Sequence, residues 1–135
     1  MTLSSFGARG IDTYRRTEIQ SRTPLELVVM LYDGLLRFMS EARDATARRD
    51  IPGRRRAVSR ALAIVSELQS TLDMEAGGSV AQSLDALYAF VTERLTEASF
   101  KQDPRPVDDA IRVVTTLREG WVGICRQSPP RTPGQ

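Results

Sequence analysis

The chain has 135 residues, of which 41% are hydrophobic, 27% charged and 6% aromatic; that is one soluble globular domain rich in helix, not a disordered chain. Histidine is absent and Cys125 is the single cysteine, which excludes histidine-based nucleophile and base chemistry, imidazole zinc sites and an internal disulfide. The net charge of +2 is carried by arginine apart from one lysine, Lys101, and is too small to imply nucleic acid.

In chain order, residues 1–22 are polar and irregular with scattered apolar residues, Phe6, Ile11, Tyr14 and Ile19, and read as a flexible N-terminal arm. Thr23-Pro24-Leu25-Glu26 then signals a helix start: Thr23 caps, Pro24 loses no bond in the first turn, and Glu26 holds the capping-box position. This helix is expected to run to about Arg48. Asp50 and Pro52 mark a second start, followed by the apolar stripe Val58, Ala61, Val65, Leu68 and Leu72. Gly77-Gly78 is expected to end it. Ser79, with Gln82 three residues on, is expected to cap a third helix whose stripe is Val80, Leu84, Leu87, Val91, Leu95 and Ala98. Asp103-Pro104 opens a fourth, with the stripe Val107, Ile111, Val114, Leu117, Trp121 and Ile124. Residues 127–135 hold Pro129, Pro130, Pro133 and Gly134 and read as a short disordered tail. Residues 23–126 are thus expected to form an all-α, antiparallel up-down-up-down four-helix bundle, because short joints between similar helices force antiparallel neighbours.

The first helix carries more apolar surface than a bundle seam needs. Val28-Leu31-Leu35-Phe38-Ala42 suffices as the seam, and Leu25-Val29-Tyr32-Leu36-Met39 is left over. Two readings fit: a central helix buried on several sides, or a groove for a partner helix. Gly34, inside this helix, is open between a tight helix crossing and close approach by a partner chain. Ile11, Tyr14 and Ile19 of the arm leave two readings open: a cover for such a groove, since tethering gives even weak docking a high effective concentration, or an unattached terminus.

Catalytic constellations are lacking. Asp73 and Glu75 are two apart and would not share a helix face, and Cys125 lies near a helix C-terminus, the wrong end to favour a thiolate. No metal, cofactor or catalytic residue is expected, and the chain is not expected to be an enzyme. Arg48, Arg49, Arg54, Arg55 and Arg56 crowd the first joint, but no aromatics interleave to stack bases, and a solvated basic corner is preferred to a nucleic-acid site. No apolar run approaches a membrane span, and Met1 to Gly10 lacks the apolar core of a signal peptide, so a cytoplasmic location without membrane insertion is expected.

Several strings are unusual enough to compare: Tyr14 with Ile19, Thr23-Pro24-Leu25-Glu26-Leu27, Met30-Leu31-Tyr32-Asp33-Gly34, Leu72-Asp73-Met74-Glu75-Ala76-Gly77-Gly78, Leu84 with Leu87-Tyr88, Leu95 with Ala98, and Leu117-Arg118 with Trp121. Together, in this order and spacing, they resemble FliS, the export chaperone for flagellin, from about Tyr14 to Trp121. The departures are Arg22 before the Thr-Pro start, Ser83 and Gly120. The resemblance implies an antiparallel four-helix bundle that binds the disordered C-terminal segment of flagellin in the cytoplasm, prevents premature polymerisation and delivers its client to the flagellar type III export gate. It also implies an N-terminal arm that occupies part of the client site until displaced.

The reading is therefore a non-enzymatic secretion chaperone, monomer or weak homodimer, with Leu25, Val29, Tyr32 and Leu36 as client-binding residues and Ile11, Tyr14 and Ile19 as the arm. The competing reading is a self-associating structural bundle whose surplus stripe forms a homodimer. A third is an RNA- or DNA-binding bundle using Arg54 to Arg56.

Overall fold

The structure, a computed structural model, describes residues 22–127. The expected arm residues Ile11, Tyr14 and Ile19, and the expected tail after Gln127, lie outside the described residues. Four helices are present among those described: α1 (Pro24–Ala47), α2 (Ile51–Ser70), α3 (Gly78–Lys101) and α4 (Arg105–Gln127).

Three starts use the local chemistry the sequence announces. Thr23 accepts from the Glu26 N–H at 3.2 Å, and its hydroxyl donates to the Glu26 carboxylate at 3.0 Å. Asp50 accepts from the Gly53 N–H at 3.0 Å. Asp103 accepts from the Arg105 N–H at 3.0 Å. Each satisfies a first-turn donor that the helix cannot satisfy itself.

The α2–α3 connection differs from expectation. α2 stops at Ser70, well short of Gly77-Gly78, and Leu72 still packs on the core from outside the helix. The Asp73 carboxylate accepts from the Glu75 and Ala76 N–H groups at 3.1 and 2.9 Å, which turns the chain there instead. α3 begins at Gly78, with Gly77 at its cap and no side-chain cap bond, so Ser79 does not cap it.

The helices form a ring in which α1 packs on α2 and α4, and α3 on the same two. The interhelical pairs show the antiparallel register. Asp33 on α1 pairs with Arg118 on α4, and Arg43, ten residues on, faces Asp108, ten residues back. At the end where α2 gives way to α3, Gln69 donates to Asp85 at 3.1 Å. The core lines the axis: Tyr32, Leu35 and Met39 of α1, Ala61, Val65 and Leu68 of α2, Tyr88, Val91 and Leu95 of α3, and Val107, Ala110 and Val114 of α4. Across the diagonal, the hydroxyls of Tyr32 and Tyr88 are hydrogen-bonded at 2.6 Å. Burial raises both phenol pKa values, and hydrogen bonds from Tyr88 and Trp121 partly offset the rise at Tyr32.

Two stripes shift from their expected positions. In α1 the buried line is Tyr32, Leu35, Met39 and Ala42, drawn from both expected stripes, while Val28, Leu31 and Phe38 flank it half-buried. The helix sits between two neighbours, so its innermost line bisects the contacts to α2 and α4 instead of following one seam. In α3, Ala81 takes the buried place expected of Val80, which is 66% exposed. Gly34 meets α2: a methyl group there would lie 3.2 Å from Ile64 Cδ1, so a close helix crossing accounts for it.

Candidate functional site

The first two turns of α1 present six apolar residues, Leu25, Leu27, Val28, Val29, Met30 and Leu31, and not one is fully buried. One turn further on, Tyr32, Leu35 and Met39 are at 0% exposure. The change marks where the bundle runs out of neighbours. α4 ends at the same place, and Trp121, Val122 and Cys125 are half-buried there while Ile124 is exposed. Two apolar helix ends therefore lie side by side with surface unspent.

Between them runs a groove of about 340 Å³. Val29 and Met30 form one wall and Val122 and Cys125 the other. On α1, residues 26, 29, 30 and 33 recur at helical spacing, which puts Glu26 and Asp33 on the groove's edge beside its apolar wall. Asp33 also holds Arg118 of α4, and this pair raises the arginine's already high pKa. Deeper in, the Tyr32 and Trp121 rings meet edge to face, 6.5 Å between centroids. The α1–α4 contact is thus closed below the groove and open above it. Such a concave, mainly apolar surface with charged edges can take up an amphipathic segment.

The structure does not bring all four sequence-predicted client residues to this groove. Val29 lines it. Leu25 is half-buried in the first turn of α1. Leu36 is half-buried and packs against the core. Tyr32 is at 0% exposure on the bundle axis and is out of reach of a client in this arrangement; the placement corrects the expectation that it faces the groove, for the reason given by the shifted stripe. Met30, Val122 and Cys125 are the lining residues that sequence reasoning passed over. The signal was present, because Trp121, Val122, Ile124 and Cys125 make a second dense apolar run like that of the first helix.

A second apolar groove of about 290 Å³ lies between α3 and α4, lined by Leu87, Val113, Thr116 and Leu117 with Arg112. Phe90 is exposed on α3, with the Arg94 guanidinium 5.9 Å from its ring centroid. Among the described residues there is no group of acidic or thiol side chains able to hold a metal ion, and no helix is long and apolar enough to cross a membrane.

The family model for "Flagellar protein FliS" matches residues 7–128. The chain is 30% identical over 115 residues to the flagellar secretion chaperone FliS of Vibrio cholerae, covering 82% of this chain and 85% of that one. It is 36% identical over 110 residues to the flagellar secretion chaperone FliS of Campylobacter jejuni, covering 82% and 86%. Its fold matches the crystal structure of a bacterial flagellar chaperone with a TM-score of 0.73 over 90% of this chain and 99% of that one, at 14% identity.

Proposed function

The chain belongs to the FliS family of flagellar proteins, and from that premise we propose that it is a cytoplasmic flagellar secretion chaperone that binds the disordered C-terminal segment of flagellin. Binding would cover client surface that otherwise self-associates, prevent premature polymerisation, and keep the client soluble for delivery to the export gate. The observation that carries this reading is the pair of unspent apolar helix ends, with Val29 and Met30 facing Val122 and Cys125 across an open groove. Leu25 adds apolar surface in the first turn, and Tyr32 supports the groove from the axis without touching the client. The chemistry needed is burial and release, so no cofactor enters. Expectations for the arm, a lid of residues 1–22 with Ile11, Tyr14 and Ile19 as its contacts, belong to the same proposal.

Titration calorimetry with a peptide spanning the C-terminal segment of a flagellin from the same genome tests it. One-to-one binding with a negative heat-capacity change is expected, because folding a disordered ligand onto a groove buries apolar surface. Val29→Asp and Met30→Asp should each weaken binding by about tenfold or more while leaving helicity unchanged, since both positions are half-buried. Absence of binding by a folded chain would refute the reading. Sedimentation over a concentration series adds a second arm: a dimer that resists dilution and occludes the groove would favour the self-associating bundle.

A further inference from the structure

At the opposite end from the groove, α2 begins with a run of arginines that no acidic residue of its own first turn neutralises. Arg54, Arg55 and Arg56 lie in the first turns of α2, with Arg60 one turn on, and there is no acidic residue in the first turn. Cations at a helix N-terminus oppose the helix dipole, and like charges this close on one helix repel. Arg48 and Arg49 have a structural reason to be basic, because they follow the C-terminus of α1. Arg54 to Arg56 have none. Among the described residues, no acidic group lies within ion-pair distance of Arg54, Arg55, Arg56 or Arg60, whereas Arg48 has Asp50 at 3.7 Å. Arg54 is only 8% exposed, and its buried Nε–H finds no acceptor. Arg60 has the Phe38 ring 5.8 Å from its guanidinium, but at Arg54 to Arg56 a local rule is broken at a cost in stability without a compensating ion pair, which is the mark of a surface kept for a partner.

Beside the run, a cleft of about 220 Å³ lies between α1 and α2. Its small residues are Ala45, Gly53 and Ala57, and Arg48, Arg56 and Arg60 bring positive charge to it. Two carboxylates also line it: Asp50, already engaged as the cap of α2 and faced by Arg48, and Glu41. We propose that this corner is a docking surface for an acidic protein segment, one carboxylate side chain entering the cleft between Arg56 and Arg60 and another meeting the exposed Arg55. The shape favours a protein over other polyanions. Gly53 to Arg60 spans only about 10 Å of helix, and a cleft of this size admits a side chain but not a bilayer surface or a duplex. Guanidinium groups pair with carboxylates in a bidentate fork, which gives specificity as well as charge. The surface is independent of the groove and lies at the other end of the bundle, so both can be occupied together.

The test uses the full-length chain and a fluorescently labelled oligo-glutamate peptide, read by anisotropy at low and moderate salt. Binding that weakens with salt is expected, with a loss of about tenfold or more in Arg56→Glu/Arg60→Glu. Arg112→Glu, an exposed charge reversal on α4, should leave it within about twofold. The double variant should keep its helicity, since Arg56 and Arg60 are both exposed, while losing the Arg60 guanidinium that lies 5.8 Å from the Phe38 ring centroid. A single-stranded RNA oligomer and vesicles rich in phosphatidylglycerol serve as competing probes. No peptide binding at low salt overturns the proposal. So does equal loss in Arg112→Glu, or binding of RNA or vesicles at this corner in preference to the peptide.

Discussion

Tyr32 and Tyr88 are at 0% and 2% exposure, so each hydroxyl depends on the other for its hydrogen bond. Replacing one by phenylalanine leaves the other's buried hydroxyl short of a partner, which costs about 1–3 kcal/mol. Replacing both removes the need and should cost little more than one alone. Urea unfolding of the two single variants and the double is therefore expected to show a coupling of about 1 kcal/mol or more; additive losses would show that the hydroxyls do not depend on one another. At Gly34 the balance is different. Alanine gains about 1 kcal/mol of helix propensity, but its methyl would press on Ile64 Cδ1 at 3.2 Å. Gly34→Ala should thus stabilise more in an Ile64→Val background than in the parent, as read by the shift in urea midpoint.

At the scale of elements, the informative segment is the α2–α3 connection. Gly77 has an ordinary φ of −77°, so it is not there to adopt a left-handed backbone; Gly78, at φ +52°, is. Gly77 is required for space: a methyl group on it would lie 2.6 Å from Ala81 Cβ and 2.7 Å from the Asp73 carbonyl oxygen. Gly77→Ala should therefore destabilise by about 1 kcal/mol or more, and Asp73→Ala by about 1 kcal/mol through loss of its two turn bonds. Thermal melts of both variants check these values, and an unchanged melting temperature in Gly77→Ala would disprove the steric argument. The same segment shows what the sequence could and could not disclose. The caps at Thr23, Asp50 and Asp103 were legible because a short polar side chain beside a proline acts on its own backbone. The end of α2 was not, because Leu72 continues the apolar spacing after the helix has stopped and still reaches the core. Val29 was legible as surplus apolar surface, whereas the role of Tyr32 depends on where α4 places Trp121, a relation no single-helix pattern contains.

For the whole molecule, antiparallel order followed from the short joints, but the position of the axis did not, since it is set by neighbours on both sides of each helix. That axis makes the bundle sensitive to alkali. Both central phenols have pKa values raised above the ordinary 10.0, chiefly by burial. The unfolded chain releases these protons near pH 10 while the folded bundle retains them, so above that pH the unfolded state binds fewer protons than the native one. Stability must then fall as pH rises, by up to about 1.4 kcal/mol per pH unit for each phenol. Below about pH 9 both states hold the protons, and this pair contributes no slope. Ionisation of either phenol places a charge at the point where α1 meets α3 across the bundle, with only the opposite hydroxyl and the Trp121 indole to solvate it, so the loss is of the whole fold rather than of one helix end. Urea midpoints followed from about pH 8 to about pH 11 should stay level and then drop, and the Tyr32→Phe/Tyr88→Phe double variant, which has nothing to ionise on its axis, should drop less. An equal fall in the two proteins would place the alkaline transition elsewhere and free the central pair of any part in it.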